Sequence, residues 1–365
     1  MAGLAQLVEH LICNQGARGS NPLAGTIFIT KEARATMLAE MIERLLDRHL
    51  DDGAQAKARS GEWLPDLWAE IEEMGLPLAL LSEDQGGFGL DAADQGEALR
   101  LLGRYAMPLP VVETMGANRL LAQAGLPLAA GAAGLARADH LAIAGGKLSG
   151  TVARVAWGEQ LDCLALAVGD TLYRVPRSGW TIAEAGTALN FHPRPSLSIN
   201  WAIDGSAPLG NCPLAEGATL RTYQIAGALE AALNMTLDHT GTRVQFGKAL
   251  QKFQVVQHEL AKLAGELACA TAAADLAGEA LVRGDMLGVA AGSLRAREAA
   301  GAGAAIATQM HGAIGFTREH RLHLYTTSLW TWRDEFGGQV MWAKLLGQAA
   351  LQAGETGYWP MVTSL

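Results

Sequence analysis

The sequence predicts an α+β protein: an N-terminal helical domain, a small middle antiparallel β-barrel or sandwich, and a C-terminal bundle of long helices. Three textures carry that prediction. Apolar residues recur at helical spacing from Lys31 to about Gln123, short period-two runs separated by Gly-containing links occupy about Leu126 to Pro213, and helical spacing returns from Leu214 onward. The chain divides accordingly into an extension over residues 1–27, a helical domain over 28–125, a β domain over 126–213 and a helical bundle over 214–365.

In the first helical unit Leu38, Ile42, Leu45 and Leu46 recur at three and four residues, and Trp63, Leu64, Leu67, Trp68, Ile71 and Met74 draw a second stripe. The stretches MGLP at 74–77 and SEDQGGFGLD at 82–91 punctuate these helices with glycine and proline. In the β unit, Gly145-Gly146 and Gly169-Asp170 link alternating runs as hairpins do, and Asp204-Gly205 closes a run with Leu197, Ile199, Trp201 and Ile203 on one face. In the last unit Val256, Leu260, Leu263 and Leu267 form one stripe. The small side chains of REAAGAGAAIATQM let helices approach closely. The first 27 residues join no later periodic pattern.

With 365 residues, 50% of them apolar and 18% charged, the chain is a globular protein of more than one packed unit rather than a disordered one. Its 28 Lys+Arg against 37 Asp+Glu give a formal net charge of −9, and no stretch clusters enough cations for a nucleic-acid footprint. No apolar run approaches the roughly 20 residues of a bilayer-spanning helix and no basic n-region opens the chain, so a cytoplasmic protein is expected. Cys13, Cys163, Cys212 and Cys269 form no CxxC pair. Likewise His311, Glu319, His320 and His323 match no familiar ligand spacing, so no metal centre is expected. GTRVQFGKAL misses the phosphate-loop spacing, and GAGAA at 301–305 lies in a helical run with no strand before it.

Two stretches stand out: RVQFGKALQKFQVVQHELAKLAGE at 243–266 and QMHGAIGFTREHRLHLY at 309–325. Together with EDQGGFGLD and the α–β–α order, they resemble the acyl-CoA dehydrogenases over almost everything after residue 30. The resemblance implies a four-helix C-terminal bundle and FAD as cofactor. It also implies that one subunit contributes these segments to FAD bound mainly by its neighbour. Arg243 would then hold the pyrophosphate with its planar fork of donors. Phe246 and Phe253 would pack near the adenine, Gln254 and Gln309 would donate amide hydrogen bonds, and Gly312 would let backbone approach the dinucleotide. Taken singly, Arg243 reads as a solvated helix residue, the two Phe as core, and Gln309 to Gly315 as a helix-ending turn.

The reaction the resemblance implies is α,β-dehydrogenation of an acyl-CoA thioester, in which a carboxylate removes the α proton while the β hydride passes to flavin N5. Burial would raise that carboxylate's pKa toward neutrality. Most relatives carry this base some twenty residues after the Gly-Phe; counting from Phe316 lands on Phe336, beside Glu335 in WRDEFGG at 332–338. Glu335 is therefore the candidate base, and a surface ion pair among Arg333, Asp334 and Glu335 is the plain alternative. A second solution in the family starts the bundle with the base. Counting back from Arg243 lands on Gly217, which makes Glu216 the alternative candidate, although a helix-start acid favoured by the backbone dipole is its simpler explanation. The Thr-Glu-Pro and Gly-Ser-Asp signature that usually enters the β domain is missing, so the β unit is short. Arg154 and Trp157 are left as candidates for the wall over the flavin, with core packing the commoner role of a strand Trp.

The implied partners are an acyl-CoA substrate, an electron-transfer flavoprotein as acceptor, and further chains in a homotetramer or in a heterotetramer with a paralogue. In the heteromeric case the chain would be a non-catalytic subunit that completes its partner's FAD site.

Overall fold

The computed structural model describes residues 31–364, with side chains from Thr36 onward; the extension expected over 1–27 lies outside the described residues. The first helices are α1 (Lys31–His49), α2 (Asp52–Arg59), α3 (Pro65–Glu73), α4 (Ala92–Arg104) and α5 (Val111–Gln123). Asp51 and Asp91 begin α2 and α4 as N-caps, accepting from the N–H groups of Ala54 and Asp94, and Pro65 occupies the first turn of α3, where no donor is needed. Leu38, Ile42, Leu45 and Leu46 are all buried, so the spacing read in the sequence is the inward face of α1.

Eight strands follow: β1 (Ala133–Arg137), β2 (Ala142–Ala144), β3 (Lys147–Val152), β4 (Cys163–Val168), β5 (Thr171–Pro176), β6 (Trp180–Glu184), β7 (Ser196–Ala202) and β8 (Ser206–Pro208). They form two four-stranded sheets, ordered β1-β4-β5-β8 and β2-β3-β7-β6. Gly145-Gly146 and Gly169-Asp170 turn the β2–β3 and β4–β5 hairpins.

Of the two forms expected, barrel or sandwich, the structure has the sandwich, and two further details are corrected. The sheets do not close into a barrel. The unit is not purely antiparallel, because β1 pairs in parallel with β4, Ala133 opposite Cys163; the chain visits the second sheet between them and returns in the same direction. Asp204-Gly205 is not a hairpin but a crossing, since β7 lies in one sheet and β8 in the other. The sandwich packs because β4 is buried on both faces. Cys163 and Ala165 share a cluster with Leu120 and Leu121 of α5, while Leu164 and Leu166 share one with Leu148, Leu197 and Ile199 of the second sheet.

The C-terminal part comprises α6 (Pro213–Thr242), a two-stranded ribbon of β9 (Val244–Gln245) and β10 (Lys248–Ala249), α7 (Gln254–Arg283), α8 (Met286–His311), α9 (Leu322–Asp334) and α10 (Gly338–Thr363). Helix α6 is the hub. A Cβ on Gly227 would overlap the backbone oxygen of Arg100, and one on Gly103 the oxygen of Gln224, so α4 and α6 touch backbone to backbone. That contact ties the first helices to the bundle and brings Glu216, Arg221 and Gln224 into the interior.

Helix α8 starts at Asp285, whose carboxylate accepts from the N–H groups of both Leu287 and Gly288 at 3.0 and 3.1 Å. Asp285→Ala should therefore cost about 1 kcal/mol, read as a lower urea midpoint at unchanged slope.

Candidate active site and dinucleotide surface

The chain leaves α9 through Glu335 and Phe336, the latter at φ +50°, and this turn points the Glu335 side chain inward. Its carboxylate meets two guanidinium groups. Arg194, from the segment before β7, donates to one oxygen at 2.8 and 2.6 Å, and Arg221 of α6 donates to the other at 2.7 Å. Arg221 also donates to Glu113 of α5 and to Gln224. Both arginines are buried, and Arg297 of α8 closes the turn from the other side by donating to the Glu335 carbonyl at 2.7 Å.

Burial alone would raise the Glu335 pKa, but the adjacent charges of Arg194 and Arg221 win and hold it down to about 2. This corrects the expectation of a carboxylate raised toward neutrality: the clamp stabilises the ionised form and makes Glu335 a weak base. The surface ion pair is corrected as well. Arg333 and Asp334 pair at 3.1 Å, and Glu335 takes no part.

Glu216, the alternative, is fully buried in the first turn of α6 and accepts from Arg119 of α5 at 2.6 and 2.7 Å. Its second oxygen has no hydrogen-bond partner among the described residues. Burial raises its pKa above the ordinary carboxylate value, and Arg119 opposes only part of that rise. It is thus an interior partner of Arg119 rather than a solvated helix-start acid. The neighbours of these two acids, Phe336 and Gly217, pack directly on each other: a Cβ at 217 would overlap the Phe336 ring carbons.

Trp157 takes the core role, the commoner of the two expected for it. It is buried, donates its indole N–H to the Pro108 carbonyl at 2.9 Å, and meets the Trp63 ring edge-on at 5.3 Å. It is a core residue joining the β unit to the first helices. Arg154 lies exposed at φ +57°. A cavity lined by Trp157, His192, Arg194, Arg221, Gln224 and Trp332 has a volume of about 10 Å³. That is on the order of one water, against the several hundred Å³ of a cofactor pocket. His192, wholly enclosed beside Arg194, is pushed down to about 3 and stays neutral.

The remaining candidates lie at one end of the bundle. Arg243 ends α6, Phe246 tips the β9–β10 ribbon at φ +50° with 93% of its surface exposed, Gln254 starts α7, and Gln309 and Gly312 end α8. The ends of α6 and α8 are held together by His239 and His311, whose rings stack 4.5 Å apart. Phe246 and Phe253 meet edge to face at 6.3 Å, with the Lys248 ammonium 4.2 Å from the Phe253 ring centre.

Among the described residues no carboxylate pairs with Arg243. Gly312, at φ +65° and ψ −140°, has open space where a side chain would be. An exposed guanidinium and two amide side chains without partners among the described residues, with an uncovered glycine, fit the adenosine and diphosphate part of FAD. The filled interior around Trp157 does not fit the flavin ring.

Sequence reasoning missed Arg194, Arg221, Glu113, Arg297 and Arg119. Arg221 alone left a trace, as the one charged residue in the run LRTYQIAGAL.

The family model for the acyl-CoA dehydrogenase N-terminal domain matches residues 32–141, and that for the acyl-CoA dehydrogenase C-terminal domain matches residues 211–331. The chain is 29% identical over 304 residues to acyl-CoA dehydrogenase IpdE2 of Mycobacterium tuberculosis, covering 81% of this chain and 91% of that one. Among solved structures, a variant of the Tcur3481-Tcur3483 steroid ACAD superposes with a TM-score of 0.79 at 23% identity, over 89% of this chain and 100% of that one. The ChsE4-ChsE5 complex of Mycobacterium tuberculosis superposes at 0.74 and 21%, over 89% and 98%. The fold and both matched regions define a flavin-dependent oxidoreductase with FAD as its cofactor. The chain belongs to the acyl-CoA dehydrogenase family. None of its described helices is long and apolar enough to cross a membrane.

Proposed function

We propose that this chain serves the FAD-dependent α,β-dehydrogenation of an acyl-CoA thioester as one subunit of a two-chain assembly in which a related partner supplies the base. One observation carries this reading. At the two positions where the family resemblance puts the base, this chain has Phe336 and Gly217 packed on each other, and the adjacent acids are held by Arg194 with Arg221 and by Arg119. A carboxylate whose pKa is near 2 gives up most of the driving force for taking an α proton near neutral pH.

When bound, FAD supplies the redox step by accepting the β hydride. The chain's own part is binding: Arg243 holds the pyrophosphate, Phe246 and Phe253 flank the adenine, Gln254 and Gln309 donate amide hydrogen bonds, and Gly312 admits the dinucleotide to the backbone. Because these groups point outward, a neighbour completes the site. A dimer of dimers follows, with an electron-transfer flavoprotein as acceptor. The paired names of two structural neighbours support a heteromer, and "steroid ACAD" makes steroid-derived acyl-CoAs the first substrates to try. A second reading, with Glu335 as the base of a homo-oligomer, rests on its place beside the counted position and on the 19% of its side chain that reaches solvent.

Anaerobic visible spectra decide between them. The chain alone, mixed with FAD and desalted, should be colourless. Co-expressed with a related chain it should be yellow and bleach with an acyl-CoA, equally well when it carries Glu335→Gln. A yellow, bleaching homo-oligomer that Glu335→Gln inactivates would establish the second reading instead.

A further inference from the structure

Three histidines from three separate segments converge behind the dinucleotide surface: His239 near the end of α6, His311 at the end of α8, and His320 in the connection to α9. One ring nitrogen of each lies within 4.8 Å of the others, and the His311 and His320 rings meet at 4.7 Å between centroids. From the geometry we infer a three-histidine site for a divalent late transition-metal ion of the zinc class, with one coordination position left open.

The state of His311 argues most directly for this. Its Nδ1 lies 2.8 Å from the Ala307 carbonyl, which can only accept, so Nδ1 carries the proton and Nε2 the lone pair. That Nε2 is buried and has no hydrogen-bond partner among the described residues, although the residue is only 5% exposed. A buried acceptor without a donor is costly. A metal ion is the Lewis acid that satisfies such a lone pair, and a carbonyl holding the opposite ring nitrogen is how ligating histidines are usually oriented.

His239 and His320 are only partly buried, so they can turn toward an ion arriving from solvent. Nitrogens around tetrahedral zinc stand about 3.3 Å apart, so the present cluster must contract on binding. His320 gives up a long contact, 3.2 Å from the Leu322 N–H, if that nitrogen is to be freed or protonated for ligation. No carboxylate belongs to the cluster, and Arg243 opposes cation binding from one side. Neutral imidazoles without carboxylates select late transition ions over Mg²⁺ or Ca²⁺.

The test uses the full chain, free of any purification tag, in a buffer that does not chelate. Zn²⁺ titrated calorimetrically should bind once per chain, and Co²⁺ should develop the visible d–d bands of a tetrahedral site that Zn²⁺ then displaces. His311→Ala and His320→Ala should each weaken Zn²⁺ by at least about 100-fold, or 2.8 kcal/mol at 1.4 kcal/mol per decade. His320 lies in a partly exposed connection, so its variant keeps the test valid if the buried one folds poorly. Mg²⁺ should produce no heat. Zn²⁺ binding equally to the wild type and to both variants, or no Co²⁺ spectrum, overturns the site.

Discussion

Arg221→Ala should lower the free energy of unfolding by about 3–5 kcal/mol, whereas Arg333→Ala, which loses only an exposed ion pair, should change it by less than about 1 kcal/mol. The contrast follows from burial. Arg221 is 2% exposed and lies between the carboxylates of Glu113 and Glu335, while Arg194 is 2.6 Å from Glu335 and 3.8 Å from Glu113. Two cations balance two anions there. Removing Arg221 leaves the buried Glu113 and the half-buried Glu335 with Arg194 as their one remaining side-chain partner, and the desolvation cost of the second charge is no longer offset. Urea titrations of the two variants check this. Equal midpoints would mean that water or rearrangement replaces Arg221, and that the cluster does not rigidify the turn after α9.

The same cluster sets an acid limit. Glu335 has a folded-state pKa of about 2 against an ordinary 4.5, so its stabilising contribution, on the order of 3 kcal/mol, is complete above pH 4.5 and disappears as pH falls toward 2. Glu216 works in the opposite direction: its raised pKa means that ionisation costs stability, and acid relieves that cost. In Arg221→Ala the loss of stability between pH 4.5 and 2 should become shallower, because one of the two cations that depress Glu335 is gone.

Helices and hairpins were legible because each follows from residues near one another in the chain. The spacing of Leu38, Ile42, Leu45 and Leu46 is the buried stripe of α1, and Gly145-Gly146 turns β2 into β3. What depends on distant pairs was not. The parallel β1–β4 ladder has no local signature.

The same limit governs the site. The sequence singles out Glu335 as the acid beside the counted position. Its state, however, is decided by Arg194, Arg221 and, through Arg221, Glu113, separated from their partners by 141, 114 and 108 residues. For Trp157 the sequence leaves both a wall over the flavin and a core role open, because nothing local to it marks which side the ring faces. Nor does the spacing of His311 and His320 hint that His239, from another helix, joins them.

In the two-chain assembly, Arg243→Ala should reduce FAD affinity by about 10- to 100-fold, the loss of a charge-assisted hydrogen bond worth about 1.5–3 kcal/mol. The effect should be this large because no described acid competes for the guanidinium, so the pyrophosphate is its natural partner, and because two other cations of this chain are engaged elsewhere. Lys248 is engaged 4.2 Å over the Phe253 ring, and Arg318 lies 4.4 Å over Phe191. Arg243→Lys should recover only part of the loss, since an ammonium keeps the charge but not the fork. Unfolding of the chain alone should be unaffected, because the Arg243 side chain is exposed, and this separates a lost ligand contact from a damaged fold. Flavin fluorescence released on dilution measures the affinity. Unchanged retention in Arg243→Ala would remove this end of the bundle from the cofactor site, and the pairing with a second subunit would then rest on Phe336, Gly217 and their arginine-held neighbours alone.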